Sequence, residues 1–344
     1  MIKTEIILLA NNVCLPFQKL NKDNGLDFIE LNKLFASKSL AEHGLGFLIN
    51  IYDLDRLDEQ WNPKLLKQII FDTGGSNQTF LHNLDIRGYN LHDLDHLILS
   101  HWHYDHSGAF YSILERLKNG IQVICHADAK FERFFRRSDD ITKNDLAGKT
   151  REEILPLLSA SKIVNQEPID LERIEQLNAK IFFPITHYEL LNTKGLKVIL
   201  SGEIPRKYSR EDFDAFFSLQ NGTLQVDKIL DDKCLVFENE DHVVVLLGCC
   251  HSGLMSTLDY VKSLTDKPIS HIIGGVHMAD ASEERMRETI EYLRTFQSYD
   301  NPLYIFPIHC SGEKIIQEIN KIRFPEIKAF NASVGTVFTF TSNF

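Results

Sequence analysis

The chain has 344 residues, of which 43% are hydrophobic and 25% are charged, and its formal net charge is −11. This length and composition fit one large globular domain or two ordinary ones. The acidic balance argues against nonspecific binding to nucleic acid or to an anionic membrane surface. No apolar run approaches the roughly 18 residues of a membrane span.

The chain opens with MIKTEIILLANNV, an apolar run that Lys3 and Glu5 interrupt. No small-residue cleavage site follows it, so we predict a first strand here and not a secretion signal. Six cysteines are present and none forms a C-x-x-C pair. A chain of this length does not need a disulfide scaffold, and we therefore expect reduced thiols in a cytoplasmic protein.

Eleven apolar runs predict strands, and helix-like segments lie among them. In chain order the runs are TEIILLA, FLINIY, QIIFDTG, HLILS, IQVICH, LKVILSG, CLVFE, HVVVLLG, HIIGG, LYIFPI and TVFTF. One helix should begin near Leu254, and another after Ser282, an expected N-cap that two glutamates follow. Residues 128–180 are charged and poor in apolar runs, so we predict a mostly helical insertion there. The whole pattern indicates an α/β protein with mixed sheets.

Four of these strands end in a histidine-bearing corner that leads into a helix. The corners are residues 101–106, His251, His277 and His309. In layered α/β folds, ligands collect in crevices at the carboxyl ends of strands. We therefore expect the four corners to converge on one site.

The first corner, ILSHWHYDHSGAF, holds three histidines and an aspartate within six residues. In an extended backbone His101 and His103 point to the same side, which suits two nitrogens on one metal ion. Asp105 and His106 come where the chain turns into a helix and can face a second ion. One metal would leave ligands unused, whereas two about 3.5–4 Å apart would use them all.

The stretch SHWHYDHSG resembles the H-x-H-x-D-H signature of the metallo-β-lactamase superfamily. IIFDTGG and FPIHCSG resemble the superfamily's Asp-x-Gly strand end and its late histidine. EHGLGFLI, SGEIPR, GCCHSGLMSTL, GGVHM and PIHCSG together resemble the branch of 7,8-dihydropterin-6-yl-methyl-4-(β-D-ribofuranosyl)aminobenzene 5'-phosphate synthase-like proteins. The resemblance implies a four-layer αββα sandwich, as a single domain over residues 1–344 with the insertion 128–180 inside it.

Carried over position by position, the resemblance implies two metal-binding sets. His101, His103 and His251 would hold one metal, and Asp105, His106 and His309 the other. Asp72 would lie beside the site and orient a ligand histidine, although an Asx turn also explains it. The superfamily's middle histidine and bridging aspartate have no clear match, and Glu203, Cys249 or Cys250 could substitute.

The remaining candidates each have a structural and a functional interpretation. Cys249 and Cys250 are small buried residues or thiolate ligands, and His277 is a pocket residue or a buried structural histidine. His43 is a turn or pocket-wall residue that could contact substrate. Glu203 is expected to pair with Arg206 more than with a metal. Arg206 and Lys314 are solvated charges or cations that bind a substrate's phosphate or carboxylate.

Histidine and carboxylate ligands suit one or two divalent ions, Zn²⁺ foremost, with Fe or Mn as alternatives. The first functional hypothesis is a hydrolase in which a metal-bound hydroxide attacks a small anionic ester-type substrate, with Asp105 as a possible proton acceptor. The second is a transferase that joins a pterin methyl diphosphate to an aryl-ribofuranosyl phosphate and releases diphosphate. The third is a metal-dependent binding or sensor protein. An oligomer is possible, and no nucleic-acid or membrane partner is expected.

Overall fold

The computed structural model describes residues 1–16, 18, 26, 28–117, 120–211, 216–296, 302–321 and 326–342. Its strands are β1 (Ile2–Ala10), β2 (Ile29–Leu31), β3 (Gly46–Leu57), β4 (Pro63–Thr73), β5 (His96–Ile98), β6 (Gln122–Ile124), β7 (Arg133–Arg136), β8 (Ile163–Gln166), β9 (Lys180–Phe182), β10 (Tyr188–Thr193), β11 (Leu196–Leu200), β12 (Phe216–Gln220), β13 (Thr223–Val226), β14 (Cys234–Asn239), β15 (Val243–Leu247), β16 (Ile269–Gly274), β17 (Leu303–Pro307), β18 (Ile327–Ala329) and β19 (Thr336–Ser342). Its α-helices are α1 (Lys33–Ala36), α2 (Asn77–Ile86), α3 (Tyr104–Ser107), α4 (Phe110–Arg116), α5 (Arg151–Ser159), α6 (Leu171–Gln176), α7 (Leu254–Leu264), α8 (Glu283–Leu293) and α9 (Lys314–Lys321).

Two large sheets form the centre of the molecule. The first has the order β2-β19-β1-β3-β4-β5-β6-β9, and the second has the order β10-β11-β14-β15-β16-β17-β18. One apolar core lies between them and contains, for example, Phe47 and Phe71 from the first sheet and Leu246 and Phe306 from the second. All eleven predicted strands are confirmed as members of these two sheets.

A layer of helices covers the outer face of each sheet. Residues of α2, α4 and α6 pack on the first sheet in a second core. Residues of α7, α8 and α9 pack on the second sheet in a third core. The predicted N-cap is confirmed, since the Ser282 side chain accepts a hydrogen bond from the Arg285 N–H at the start of α8. The predicted four-layer αββα sandwich is the fold of this chain.

The topology brings strand ends together at one edge of the sandwich. In the first sheet β4, β5 and β6 run parallel, and in the second sheet β15, β16 and β17 run parallel. Their carboxyl ends therefore form two neighbouring rows of corners. These are the corners that carry the histidines of the sequence motif.

The predicted insertion, residues 128–180, has more residues in helices than in strands, but it also takes part in a sheet. Besides the short helices α5 and α6, it contributes β7 and β8 to a third sheet of order β13-β12-β7-β8. The partner strands β12 and β13 come from residues 216–226, beyond the predicted insertion. This sheet has a small core of its own, which includes Phe134 and Phe217. Within the part of the chain that the structure describes, no helix is long and apolar enough to cross a bilayer.

His271 is a titratable residue that is buried in the central core. This residue lies in the middle of β16, and its ring stacks on Tyr304 at a centroid distance of 5.2 Å. Phe28 and Phe340 meet the same ring edge-on. Burial lowers the pKa of His271 to about 3, with a smaller effect from the charge of His242. The imidazole is therefore folded into the core in its neutral form.

We predict that His271 makes the protein less stable at acid pH. In the unfolded chain it gains a proton near pH 6.5, whereas in the folded chain it stays neutral to about pH 3. The unfolded state thus binds more protons, and stability falls as the pH drops through this window, by up to about 1.4 kcal/mol per pH unit. Urea unfolding at several pH values should show a weaker acid dependence in His271→Phe than in the wild type. Equal slopes in the two proteins would contradict the assignment.

Candidate metal centre

The corners that carry the candidate residues share an unusual backbone conformation. Asp72, Cys250, His277 and His309 have φ values of 59°, 60°, 46° and 57°. Non-glycine residues rarely adopt this left-handed region, and each such residue costs on the order of 1–3 kcal/mol. Surrounding contacts must therefore hold these turns in place. Strained corners of this kind concentrate at functional sites.

Four side chains form the first donor group, which comprises Asp105, His106, Cys249 and His309. One ligand atom from each lies within 4.8 Å of all the others, and all four residues are buried. His106 Nε2 is 3.0 Å from Cys249 Sγ, and His309 Nε2 is 3.3 Å from Asp105 Oδ2. The two sheets each supply two of these four ligands.

A second donor group comprises His101, Cys249 and His251. The Nε2 atoms of His101 and His251 face each other at 3.2 Å. His103 lies beside them, with its ring centroid 4.9 Å from that of His251. Its buried Nε2 atom has no hydrogen-bond partner among the described residues. The structure thus brings His101, His103 and His251 together, although His103 is not part of the compact donor groups.

Asp72 determines which nitrogens face the centre. Its Oδ2 atom accepts hydrogen bonds from His106 Nδ1 and from Ser100 Oγ, both at 2.7 Å. Because the hydroxyl proton of Ser100 goes to Asp72, Ser100 Oγ is left to accept from His101 Nδ1 at 2.8 Å. Both histidines are therefore protonated on Nδ1 and, when neutral, direct a lone pair on Nε2 toward the donor groups. Sequence reasoning gave Asp72 this kind of orienting role for one histidine, and the structure extends it to two.

Asn12 orients His309 in a similar way. Its Oδ1 atom is 3.0 Å from His309 Nδ1, and its Nδ2 atom is 3.3 Å from His43 Nδ1. The amide accepts from the first ring and donates to the second. His309 then directs its Nε2 lone pair toward Asp105, while His43 donates through Nε2 to Asp105 Oδ2 at 3.2 Å. The His309 lone pair and the Asp105 oxygen are both acceptors, so a cation between them would relieve their repulsion.

A buried ionic network supports the loop that holds His101 and His103. The Arg133 guanidinium contacts Asp231 at 2.8 Å and Asp227 at 3.2 Å, and it also donates to the Trp102 carbonyl at 3.2 Å. Asp231 in turn accepts from the Trp102 N–H at 2.8 Å. Arg133 comes from the insertion, so this segment positions the metal-binding loop.

The charges at the site match what metal ligands require. Burial first, and then the charge of Arg133, lowers the pKa of His103 to about 3. Burial and the neighbouring histidines likewise hold the pKa values of His101 and His251 well below their usual range. Burial alone would raise the pKa of Asp105, but the nearby imidazoles of His106, His309 and His43 together hold it well below its usual value. Neutral imidazoles and an ionised carboxylate are the ligand forms that bind metals.

His106 is the exception among the histidines. Burial lowers its pKa, but the carboxylates of Asp72 and Asp105 outweigh burial and raise it to about 9. Without a metal its proton offsets two buried negative charges. A cation bound by Nε2 would take over that role and displace a proton.

The residues present therefore fit a divalent metal. Imidazole nitrogens, a carboxylate and a thiol are ligands that Zn²⁺ accepts in tetrahedral sites. The buried, unpartnered Nε2 of His103 and the acceptor atoms that face one another both indicate that the constellation is built around cations.

The donor groups open onto a cavity of about 480 Å³. Its walls include Tyr104, Phe135, Phe216, Arg285 and His43. Phe135 and Phe216 are register partners in the third sheet. Because side chains alternate along a strand, they face the cavity while their neighbours Phe134 and Phe217 fill the small core. The ring of His103 stacks on Phe216 at 5.0 Å.

Four of the predicted ligand or substrate-binding candidates lie outside both the donor groups and the cavity. Cys250 packs in the apolar core under α7, with its Sγ atom 3.3 Å from Thr257 Oγ1. Glu203 pairs with His126 at 2.9 Å, so the expected pairing with Arg206 is wrong. Arg206 donates to the carbonyls of His251 and Lys228, which favours its structural interpretation. Lys314 is exposed and pairs with Glu283 away from the cavity. His277 and His43 do line the cavity.

Sequence reasoning missed several residues of the site. They are Asn12, Arg133, Asp231, Phe135, Phe216, Arg285 and Cys310. Most of them lie far from the histidine motif in sequence, and no local spacing marks them. Cys310 is the exception, because it directly follows His309, and a thiol next to a predicted ligand was a usable signal.

Comparisons with known proteins agree with this geometry. Residues 67–191 match the family model of the metallo-beta-lactamase superfamily. An uncharacterized protein of Methanocaldococcus jannaschii is 28% identical over 291 residues, which cover 83% of this chain and 90% of the relative. The 7,8-dihydropterin-6-methyl-4-(beta-D-ribofuranosyl)-aminobenzene-5'-phosphate synthase of the same organism is 25% identical over 281 residues, 81% of this chain and 84% of the relative. The crystal structure of Tm1679, a metal-dependent hydrolase of the beta-lactamase superfamily, superimposes with a TM-score of 0.65 at 18% identity, over 99% of this chain and 100% of that chain.

We predict that Arg133→Met destabilises the protein by about 3–5 kcal/mol, because it leaves two buried carboxylates without their cation. Arg151→Met is the matched control. Arg151 also lies in the insertion and pairs with Glu132, but its side chain is 44% exposed, so little change is expected. Chemical denaturation of the three proteins measures the difference. Equal losses in the two variants would show that the Arg133 network does not support the loop.

Proposed function

We propose that this chain, which has the metallo-β-lactamase fold, is a metal-dependent hydrolase that acts on a small anionic ester-type substrate. The observation that carries the proposal is the convergence of His101, His103, His251, Asp105, His106 and His309 at the floor of one cavity. Cys249 joins them at the position where the motif lacked a bridging ligand, since its Sγ atom belongs to both donor groups. We expect one or two divalent ions here, with Zn²⁺ the best match to this ligand set.

Divalent ions held by such ligands lower the pKa of water and stabilise negative charge that develops on the substrate. One of the chain's own residues can act as a proton acceptor. Asp105 stays ionised at the floor of the cavity and has oxygen lone pairs that can take a proton. His43 donates through Nε2 to Asp105 Oδ2 at 3.2 Å, and this hydrogen bond stabilises the ionised form of the carboxylate. Asp72 contributes by fixing the orientation of His101 and His106 and does not itself touch the cavity.

The cavity walls favour a substrate with an anionic group and an apolar part. Arg285 is the cationic side chain that lines the cavity among the described residues, and its guanidinium suits a phosphate or carboxylate. Phe135 and Phe216 supply an apolar wall opposite the strand corners. Together these groups exclude water from one side of the bound molecule, which strengthens the electrostatic interactions at the floor.

We predict that His106→Ala loses metal and activity together. His106 belongs to the four-ligand group and bonds to Asp72, so its removal should weaken metal binding by about tenfold or more. Metal content by atomic emission and hydrolysis of bis(p-nitrophenyl) phosphate are the two measurements. His187→Ala is the control, because His187 is exposed and lies outside the donor groups. A His106→Ala protein that keeps both its metal and its hydrolysis would refute the proposal.

A second candidate is a synthase reaction of the kind for which the 25% identical relative is named. The sequence resemblance implies that such a reaction joins a pterin methyl diphosphate to an aryl-ribofuranosyl phosphate. The same cavity would have to hold a flat ring system and phosphate groups, for which Phe216 and Arg285 are suited. Trp102 and Phe110, the aromatic residues within and just after the histidine motif, are buried in the core that α2, α4 and α6 form on the first sheet.

The two candidates differ in their products. A synthase of this kind should release diphosphate only when both substrates are present, whereas a hydrolase should turn over a single ester with water. Diphosphate release measured with each substrate alone and with both together separates them. Ligand binding without turnover in either assay would instead indicate a metal-dependent binding or sensor protein.

A further inference from the structure

We propose that Cys249, His277 and Cys310 form a binding site for a thiophilic cation, distinct from the metal sets that the sequence motif predicts. The two sulfur atoms and one ring nitrogen of His277 lie within 4.8 Å of one another. Cys249 follows β15, His277 follows β16 and Cys310 follows β17. Three adjacent parallel strands thus each deliver one soft or borderline ligand to the same point.

The backbone is shaped to bring these three groups together. At Gly275, an added Cβ atom would lie 2.8 Å from Cys310 Sγ and 3.1 Å from Cys249 Cα. Any larger residue there would push the Cys310 side chain away from Cys249. His277 has a φ of 46°, a conformation that a non-glycine residue keeps only when its surroundings impose it. The close approach of the two thiols is therefore a specific feature of this turn.

The chemistry of the site differs from that of the neighbouring donor groups. Asp105, His106 and His309 offer one oxygen and two nitrogens, whereas the new site offers two sulfurs and one nitrogen. Thiolates select Zn²⁺, Cu⁺ and similar soft ions over hard ones. Two sulfurs on one tetrahedral Zn²⁺ are roughly 3.8 Å apart, from Zn–S bonds of about 2.3 Å. The two sulfur atoms lie within 4.8 Å of each other, so a bound state needs them to approach by about 1 Å at most.

The site is accessible from the cavity. Cys249, His277 and Cys310 all line the cavity; His277 and Cys310 are half-buried, and Cys249 is buried. Asp280 on the same wall adds a negative charge, and Arg285 a positive one. All six cysteines are free thiols, so both sulfurs are available to a cation.

Cys249 belongs to all three groups, and this has a consequence for the proposed catalytic centre. A thiophilic ion held by Cys249, His277 and Cys310 would compete for the sulfur that lies 3.0 Å from His106. It would therefore act as an inhibitor, a consequence that rests on the proposed hydrolase function. The binding site itself does not depend on that function.

Titration of the reduced, metal-free protein with Cd²⁺ tests the site, because Cd²⁺–thiolate bonds absorb in the ultraviolet. The wild type should show a charge-transfer band of an intensity that corresponds to two thiolates on one ion. Cys310→Ser should halve the band. It should also weaken Cd²⁺ binding by about tenfold or more, because the loss of a residue that only supports a metal ligand already weakens metal binding by that much. Cys14→Ser is the matched control, since Cys14 is another part-buried thiol and bonds only to backbone carbonyls in the described residues.

The proposal is overturned if Cys310→Ser titrates like the wild type, or if the wild-type band corresponds to one thiolate. If Cys310→Ser does not fold by circular dichroism, His277→Ala gives the same test: its band should keep two thiolates while its affinity falls. A two-thiolate band in a protein without hydrolytic activity would support this site and refute the proposed function. Hydrolytic activity together with a one-thiolate band would support the proposed function and refute this site.

Discussion

The hydrogen bonds of Asp72 are the interaction on which the rest of the site depends. A single carboxylate at the end of β4 fixes His106 directly and His101 through Ser100, so that both rings direct Nε2 toward the same point. The carboxylate is fully buried, and the Ser100 N–H occupies its other oxygen at 2.7 Å. Burying a charge is costly unless it is fully hydrogen-bonded. These contacts meet that requirement, and in doing so they give two histidines a defined tautomer before any ion arrives.

The second sheet can reach this point only because residue 248 is a glycine. An added Cβ atom there would lie 2.2 Å from Ser100 Oγ and 3.3 Å from Asp72 Oδ2. The end of β15 therefore lies directly against the end of β4, and Cys249 comes within 3.0 Å of His106. In the superfamily pattern the sequence resembles, an aspartate follows the glycine at this strand end. Here the chain has Gly-Cys, and the cysteine sulfur belongs to both donor groups.

Local pattern was enough to predict the sandwich and the histidine corners, because both depend on short-range features. The eleven long or strongly apolar runs all form strands, whereas short strands such as β7, β8 and β12 were missed. Their residues, for example FFSLQ in β12, have little periodicity of their own, and β12 pairs with β7 across 81 to 85 residues of chain. The third sheet is thus a product of tertiary pairing, which a window of ten residues cannot reveal. Sequence alone also could not choose between the structural and substrate-binding interpretations of Arg206 and Lys314, because only the fold shows which partners each cation has.

The missed third sheet matters because it completes the site in two ways. Arg133 in β7 reaches the Trp102 carbonyl and the carboxylate that holds the Trp102 N–H, so it fixes the loop between His101 and His103. Phe135, two residues later on the same strand and so on the same face, extends the wall over His103 with Phe216. One strand therefore both positions a pair of candidate metal ligands and shapes the wall of the cavity. Changes in this segment should accordingly alter ligand geometry and substrate preference together, since neither can be moved without the other.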